Sequence, residues 1–333
     1  MTRPAARARR GAAGGSALDI AEEALHLLRY APPGAWAAYL AGTAPFVLGL
    51  LFFWSDMSRS AFAGRHVVGA SLGMAALFVW MKAWHALFAA LLRASVWRTP
   101  PARWPAGRLW RLAALQAAVQ PWGLAALPLA FLAAIPFPAA YAWFQNVTAM
   151  GDGADADVRG TLRAAWRQAM AAPGQNVLLI WLLSPWLLGA GLLALLGFVR
   201  LFSAAAPWLE ARPGLMYALA WLYLACGAMV PLSPFGFVVA GNVALTMILL
   251  PALWQVLTGV ENAFTLSGAG GVMNTTFLAT VFAVSYLFLD PLVKAAYVLR
   301  CFYGQAQETG DDLRVALRAW RAAEPGAGRE AAP

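Results

Sequence analysis

Residues 236–257 read GFVVAGNVALTMILLPALWQVL, twenty-two positions without one ionisable side chain. About 20 apolar residues of helix cross the hydrocarbon of a bilayer, so this stretch reads as a membrane span. Comparable apolar runs recur at 35–54, from 67 onward, and at 112–144, 177–199, 215–231 and 272–289. The whole chain of 333 residues is 61% hydrophobic and 12% charged. A soluble domain carries about a quarter charged residues. This chain lacks the polar side chains to cover a soluble surface of its size. The implied fold class is all-α, a polytopic transmembrane helical bundle.

The net charge of +9 is nearly all arginine, since only Lys82 and Lys294 are lysines. In a soluble protein such a balance points to nucleic acid. Here the arginines flank apolar runs, which is an orientation signal, so no nucleic-acid partner is expected. Arg93, Arg98, Arg103, Arg108 and Arg111 form a basic loop, 93–111, with no acidic residue, and Pro100, Pro101 and Pro105 argue against regular helix there. The run 112–144, broken by Pro121, Pro128, Pro136 and Pro138, is either a hairpin turning at 135–138 or one kinked span. A hairpin places the arginines of the N-terminus, of 93–111, of 159–167 and of the C-terminal tail on one side, and the positive-inside rule favours it. The expectation is therefore an even number of crossings. There are eight if every span is real, or six if the hairpin only dips in, with both ends in the cytosol of a bacterial cytoplasmic (inner) membrane.

Residues 1–15 read as a disordered basic tail with no cleavable signal peptide, the first span serving as insertion signal. Gly69 and Gly73 form a small-xxx-small spacing that would let a neighbouring helix approach. Three amphipathic helices are predicted. In the first, 17–30, Ser16 caps with Asp19 in capping-box position, and Leu18, Ala21, Leu25 and Leu28 form one face above Pro32-Pro33-Gly34. The second, 159–172, carries Arg159, Arg163 and Arg167 on one stripe and Leu162, Trp166 and Met170 on another. The third, 310–323, starts at Thr309-Gly-Asp-Asp312, with Leu313, Leu317 and Trp320 beside Arg314, Arg318 and Arg321. Such helices suit anionic lipid or the acidic face of a partner protein. The organisation is thus a tail at 1–15, a membrane domain at 16–304 and a cytosolic amphipathic helix with a disordered end at 305–333.

Asp290-Pro291 is a cap followed by a first-turn residue, so one helix is expected to end and another to begin there. The second would run along the cytosolic surface, with Lys294 and Arg300 toward lipid headgroups, and end at Gly304. The pattern Asp290-Pro291, Tyr297, Arg300, Tyr303 and Thr309-Gly310-Asp311-Asp312-Leu313 resembles the close of bacterial multi-pass proteins. These are similar to the membrane domain attached to some glycerophosphodiester phosphodiesterases. Runs like Asn274-Thr-Thr-Phe277 and Leu299-Arg-Cys-Phe-Tyr303 occur in that group. The resemblance covers residues 240–315 and implies a membrane part only. The catalytic domain of the phosphodiesterases has no counterpart here, so no enzyme activity comes with it.

Lys82 and His85, at i,i+3, are either a proton or anion relay within the membrane or, if the span ends near Trp84, a snorkelling lysine and an interfacial histidine. Asp290 and Lys294, at i,i+4, are either an intramembrane polar site or a helix cap and a snorkelling side chain. No nucleophile–base–orienter spacing is visible, three histidines and the distant Cys226 and Cys301 give no metal pattern, and no cofactor is expected. The functional expectation is a non-enzymatic scaffold or accessory subunit of a membrane complex. Membrane lipids and other membrane or cytosolic proteins would be its partners. The rival is a transporter or lipid-handling protein lined by Lys82, His85 and Asp290.

Overall fold

The computed structural model describes residues 15–100, 103–132, 137–155, 157–183, 234–261 and 274–323, with isolated positions between 208 and 266. The basic tail, Cys226, the span expected at 215–231 and most of that at 177–199 lie outside the described residues. All regular structure among the described residues is helical: α1 (Ala17–Arg29), α2 (Pro33–Arg59), α3 (Ala63–Trp97), α4 (Ala106–Val119), α5 (Gly123–Leu132), α6 (Phe137–Met150), α7 (Val158–Ala171), α8 (Pro173–Leu183), α9 (Pro234–Thr258), α10 (Thr275–Thr309) and α11 (Asp311–Ala323). Among the described residues, five stretches are long and apolar enough to cross a membrane: Pro33–Arg59, Ala63–Trp97, Ala106–Ala130, Phe235–Thr258 and Thr275–Thr309. The chain is an all-α membrane bundle. It divides into one unit of residues 1–50, 64–176 and 291–333 and another of residues 51–63 and 177–290.

In the first unit, α2 and α3 pack antiparallel. Pro45 has no N–H and cannot bond the carbonyl of Ala41 one turn earlier. The indole Nε1 of Trp80 donates to that carbonyl at 2.9 Å, so the proline leaves no orphaned acceptor. Close approach of the two helices rests on Gly42 and Gly49. A Cβ at Gly42 would stand 2.5 Å from Trp84 Cβ, and one at Gly49 would stand 2.6 Å from Leu77. The expected small-residue contact at Gly69 and Gly73 is corrected, since a Cβ at either would meet open space.

The run 112–144 is a hairpin. α4 continues through a 3-10 turn at Gln120–Trp122 into α5, and α6 returns alongside. Gln120 Nε2 donates to Phe144 O at 3.2 Å and to Thr148 Oγ1 at 3.1 Å. Leu115, Val119, Phe144, Val147 and Ala165 form the core between the arms and α7. Residues 133–136 lie outside the described residues, and Phe137 and Pro138 already belong to α6. With 14 residues, α6 covers about 21 Å, less than the roughly 30 Å of hydrocarbon.

The basic loop is shorter than expected. Arg93 lies in α3, and Arg108 and Arg111 lie in α4, because Pro105 precedes α4 instead of interrupting it. The acidic residue missing from 93–111 is supplied by the loop after α6. Arg108 Nη2 reaches Asp152 Oδ2 at 2.8 Å, Arg93 stands 4.0 Å from the same carboxylate, and Arg111 Nε donates to Gly153 O at 3.0 Å. Gly153 has φ +69°, and a Cβ there would press on the backbone of Arg108, so the clasp requires glycine.

The C-terminal helices differ most from expectation. α10 runs without a break through Pro291 to Thr309. From Leu289 to Phe302 all of its described side chains are buried, and this packing outweighs the single backbone hydrogen bond that Pro291 removes. Gly304 does not end the helix. It is where α10 crosses α7, and a Cβ there would overlap the amide of Gln168. The stop is Gly310 at φ +67°, whose N–H bonds Ala306 O at 2.8 Å.

In the second unit, α9 exposes Phe237, Val238, Leu245, Leu249, Leu253 and Trp254. Its exposed Asn242 and Thr246 donate back to Val238 O at 2.7 Å and Asn242 O at 2.8 Å, so its polar groups are satisfied within the helix as a span requires. Arg59 Nη2 donates to Thr276 Oγ1 at 3.1 Å.

Trp80→Phe is expected to lower stability by about 1–2 kcal/mol by orphaning the Ala41 carbonyl, and most of that loss should vanish in a Pro45→Ala background, where residue 45 regains its N–H. Thermal melts of the four detergent-solubilised proteins measure the coupling, and equal losses in both backgrounds would disprove it. Gly42→Ala should cost about 1–3 kcal/mol in the same assay while Gly73→Ala is silent.

Candidate functional site

The buried stretch of α10 carries four polar side chains of the first unit on one broad face: Lys294, Tyr297, Arg300 and Cys301. None of them is tolerable in an apolar surrounding without partners. The partners of Lys294, Cys301 and Arg300 come from α6 and the α7–α8 junction. Lys294 is 2% exposed and its Nζ donates to Gln145 Oε1 at 2.7 Å. Cys301 Sγ donates to Asn146 Oδ1 at 3.4 Å, while Asn146 Nδ2 donates to Ala165 O of α7 at 3.0 Å. Arg300 is 4% exposed. Its Nε donates to Gln175 Oε1 at 3.1 Å and its Nη2 to Ala172 O at 3.5 Å. The Tyr141 ring meets the Tyr297 ring edge-on, with centroids 6.1 Å apart.

Lys294 and Arg300 therefore do not reach lipid headgroups from a surface helix. The expectation failed because Asp290-Pro291 also fits inside a helix when tertiary packing holds both flanks. Asp290 is buried, one turn before Lys294 on the same face, and caps no helix.

His85 is fully buried. Its ring stacks on Tyr39 with centroids 5.3 Å apart and a 10° interplanar angle, and its Nε2 lies 2.8 Å from Thr43 Oγ1. α3 runs to Trp97, twelve residues past His85, so the helix does not end near Trp84, and His85 packs between α3 and α2. Lys82 is half-buried, with Nζ 5.3 Å from the Phe78 ring centroid, a cation–π distance. The two residues share a helix and have different surroundings.

The arginine stripes gather at one end of the first unit. Arg318 Nη1 donates to Trp97 O at 3.1 Å, Trp97 stacks edge-on against Phe302 at 4.6 Å, and Tyr303 Oη donates to Glu23 of α1 at 2.7 Å. Arg159, Arg163 and Arg167 are exposed on α7, and Arg314 and Arg318 are exposed on α11. α1 has the predicted capping box, Ser16 N donating to Asp19 Oδ2 at 2.8 Å and Asp19 N to Ser16 Oγ at 3.2 Å. Its packed face is shifted from the expected one: Ala17, Ile20, Ala21, Ala24 and Leu28 are buried, and Leu18 and Leu25 are exposed. α7 likewise turns Ala165, Gln168 and Ala169 inward and leaves Trp166 and Met170 exposed. Small residues allow the closer approach, so the proteinaceous side of each helix is its alanine side.

Among the described residues no three His, Cys, Asp or Glu side chains gather in a metal-binding group. Sequence reasoning missed Gln145, Asn146 and Gln175 as partners. The available signal was three amides at the edges of apolar runs, where an unpaired amide is costly. No family model matches this chain, and no curated protein or solved structure shows significant similarity to it.

Replacing Lys294 by Met is expected to cost about 2–3 kcal/mol in a thermal melt, because Gln145 Oε1 is left buried without its donor. Gln145→Leu in the same chain should recover part of the loss. Strictly additive losses would show that the two side chains are not coupled.

Proposed function

We propose that this protein is a multi-pass component of a bacterial cytoplasmic membrane, with both ends cytosolic. In this reading it acts without catalysis, as a scaffold or accessory subunit that recruits a protein with an acidic face. The observation that carries the reading is the contrast among the three amphipathic helices. α1 and α7 each bury an alanine-lined face on their own chain, whereas α11 buries none of its described side chains and leaves Leu313 71% and Trp320 58% exposed beside Arg314 and Arg318. An apolar stripe flanked by guanidinium groups is the composition of a recognition helix for an acidic, partly apolar surface. The resemblance of residues 240–315 to the membrane domain accompanying glycerophosphodiester phosphodiesterases agrees with a membrane part that serves another protein.

A second reading, transport or lipid handling, draws support from the burial of Asp290, Lys294 and Arg300, since ionisable groups enclosed in a membrane domain are expensive to keep. Lys82→Leu with Asp290→Asn separates the two. A scaffold should keep its partner, and a conduit should insert and lose flux.

The test of the scaffold is purification of the tagged protein from its native membrane in mild detergent. A stoichiometric partner is expected, and neutralising Arg314, Arg318 and Arg321 to Gln should reduce its recovery about tenfold or more without moving the melting temperature of the bundle. A homo-oligomer with no partner, or a partner retained by the triple variant, would rule the docking role of α11 out.

A further inference from the structure

On the first unit's part of α10, two buried polar atoms have no hydrogen-bond partner among the described residues: Tyr297 Oη and Arg300 Nη1. Tyr297 is enclosed to the same degree as Lys294, and the two residues lie one turn apart on the first unit's central helix. The described partners of Arg300 are an amide oxygen and a backbone carbonyl, both neutral. The carbonyl belongs to the C-terminal end of α7, where the helix dipole supplies only about half a negative charge. A buried guanidinium is thus left part-neutralised, with a free N–H donor, and a free phenol donor stands three residues earlier on the same face of the helix. That combination accepts an anion with several oxygens, and guanidinium plus hydroxyl suits a phosphate.

The depth of the pair agrees with this. α10 has 35 residues and is about 52 Å long, some 20 Å more than the hydrocarbon. Its second half lies at the basic end, where Trp97 packs on Phe302, Arg93 stands over Trp97 at 5.2 Å, and Arg108 stands over Trp104 at 4.2 Å. Tryptophan with arginine marks the headgroup level of a bilayer, where lipid phosphates lie. Access is short as well, because Ala172 and Gln175, which hold Arg300, flank the exposed Pro173 and Gly174.

The geometry points to a phosphate-binding site formed by Arg300 and Tyr297, reached from the basic end of the first unit and filled by a lipid phosphodiester or by free phosphate. The site is independent of the docking role of α11 and survives its failure.

The test uses the full chain, delipidated in an uncharged detergent and titrated separately with short-chain phosphatidylglycerol and with inorganic phosphate. Melting temperature and calorimetric heat are followed. At least one probe should bind saturably. Phosphatidylglycerol alone would identify the lipid headgroup, and a response to both would identify phosphate itself. Arg300→Gln should weaken binding about tenfold or more, the usual effect of losing a charged hydrogen bond. Tyr297→Phe should weaken it about threefold or more, yet leave the ligand-free melting temperature unchanged or raised, because the hydroxyl has no partner to lose. If Arg300→Gln does not fold, Tyr297→Phe decides. The absence of saturable binding by either probe would overturn the site and leave the two atoms to water. Binding undiminished in Tyr297→Phe would overturn it in favour of the exposed arginines.

Discussion

Burial of the second half of α10 is the constraint on which the first unit depends. A helix enclosed from Leu289 to Phe302 cannot leave Lys294, Arg300 and Cys301 to water, so other elements must bring acceptors to them. α6 brings Gln145 and Asn146, and the α7–α8 junction brings Gln175 and the carbonyl of Ala172. Gly304 lets α7 come close enough for this, and Gly310 then turns the chain out into α11. α1 is held to the same helix through Tyr303 and Glu23.

The same rule, that no polar group may be orphaned in an apolar medium, governs the details elsewhere. Pro45 would strand the Ala41 carbonyl but for Trp80. The Asp152 carboxylate draws together Arg93 and Arg108, which lie at the ends of different helices, and so closes the base of the α4–α6 hairpin. These contacts join residues 39 and 44 positions apart in the chain, and each involves a side chain whose role is invisible locally. Arg300 and Tyr297 are among the described residues where the rule is met only in part, as are Gln116 and Asn176.

Much of the layout could be read from composition and pattern. The spans that α2, α3, α9 and α10 occupy, the capping box at Ser16 and the hairpin in 112–144 all follow from local signals or from the distribution of arginine. The errors have one source. Asp290-Pro291, Gly304 and Gly69-Gly73 are local punctuation marks whose meaning depends on what packs beside them. The cap-and-start reading of Asp290-Pro291 assumed a solvated helix end, and α10 is enclosed at that point. For α1 the hydrophobic face by composition and the packed face differ, because alanine buries closer than leucine.

By itself, the sequence determined that this is a helical membrane protein with basic, amphipathic elements, since apolar run length and charge placement suffice for that. Only the tertiary structure decided which of those elements are spoken for. α1 and α7 are docked, α11 keeps its apolar stripe exposed, and Lys294 and Arg300 are core residues instead of surface ones. The physical reason is that the burial of a charge depends on neighbours distant in sequence. Gln145 is 149 positions from Lys294 and Gln175 is 125 from Arg300, and no periodicity along the chain records such a pairing.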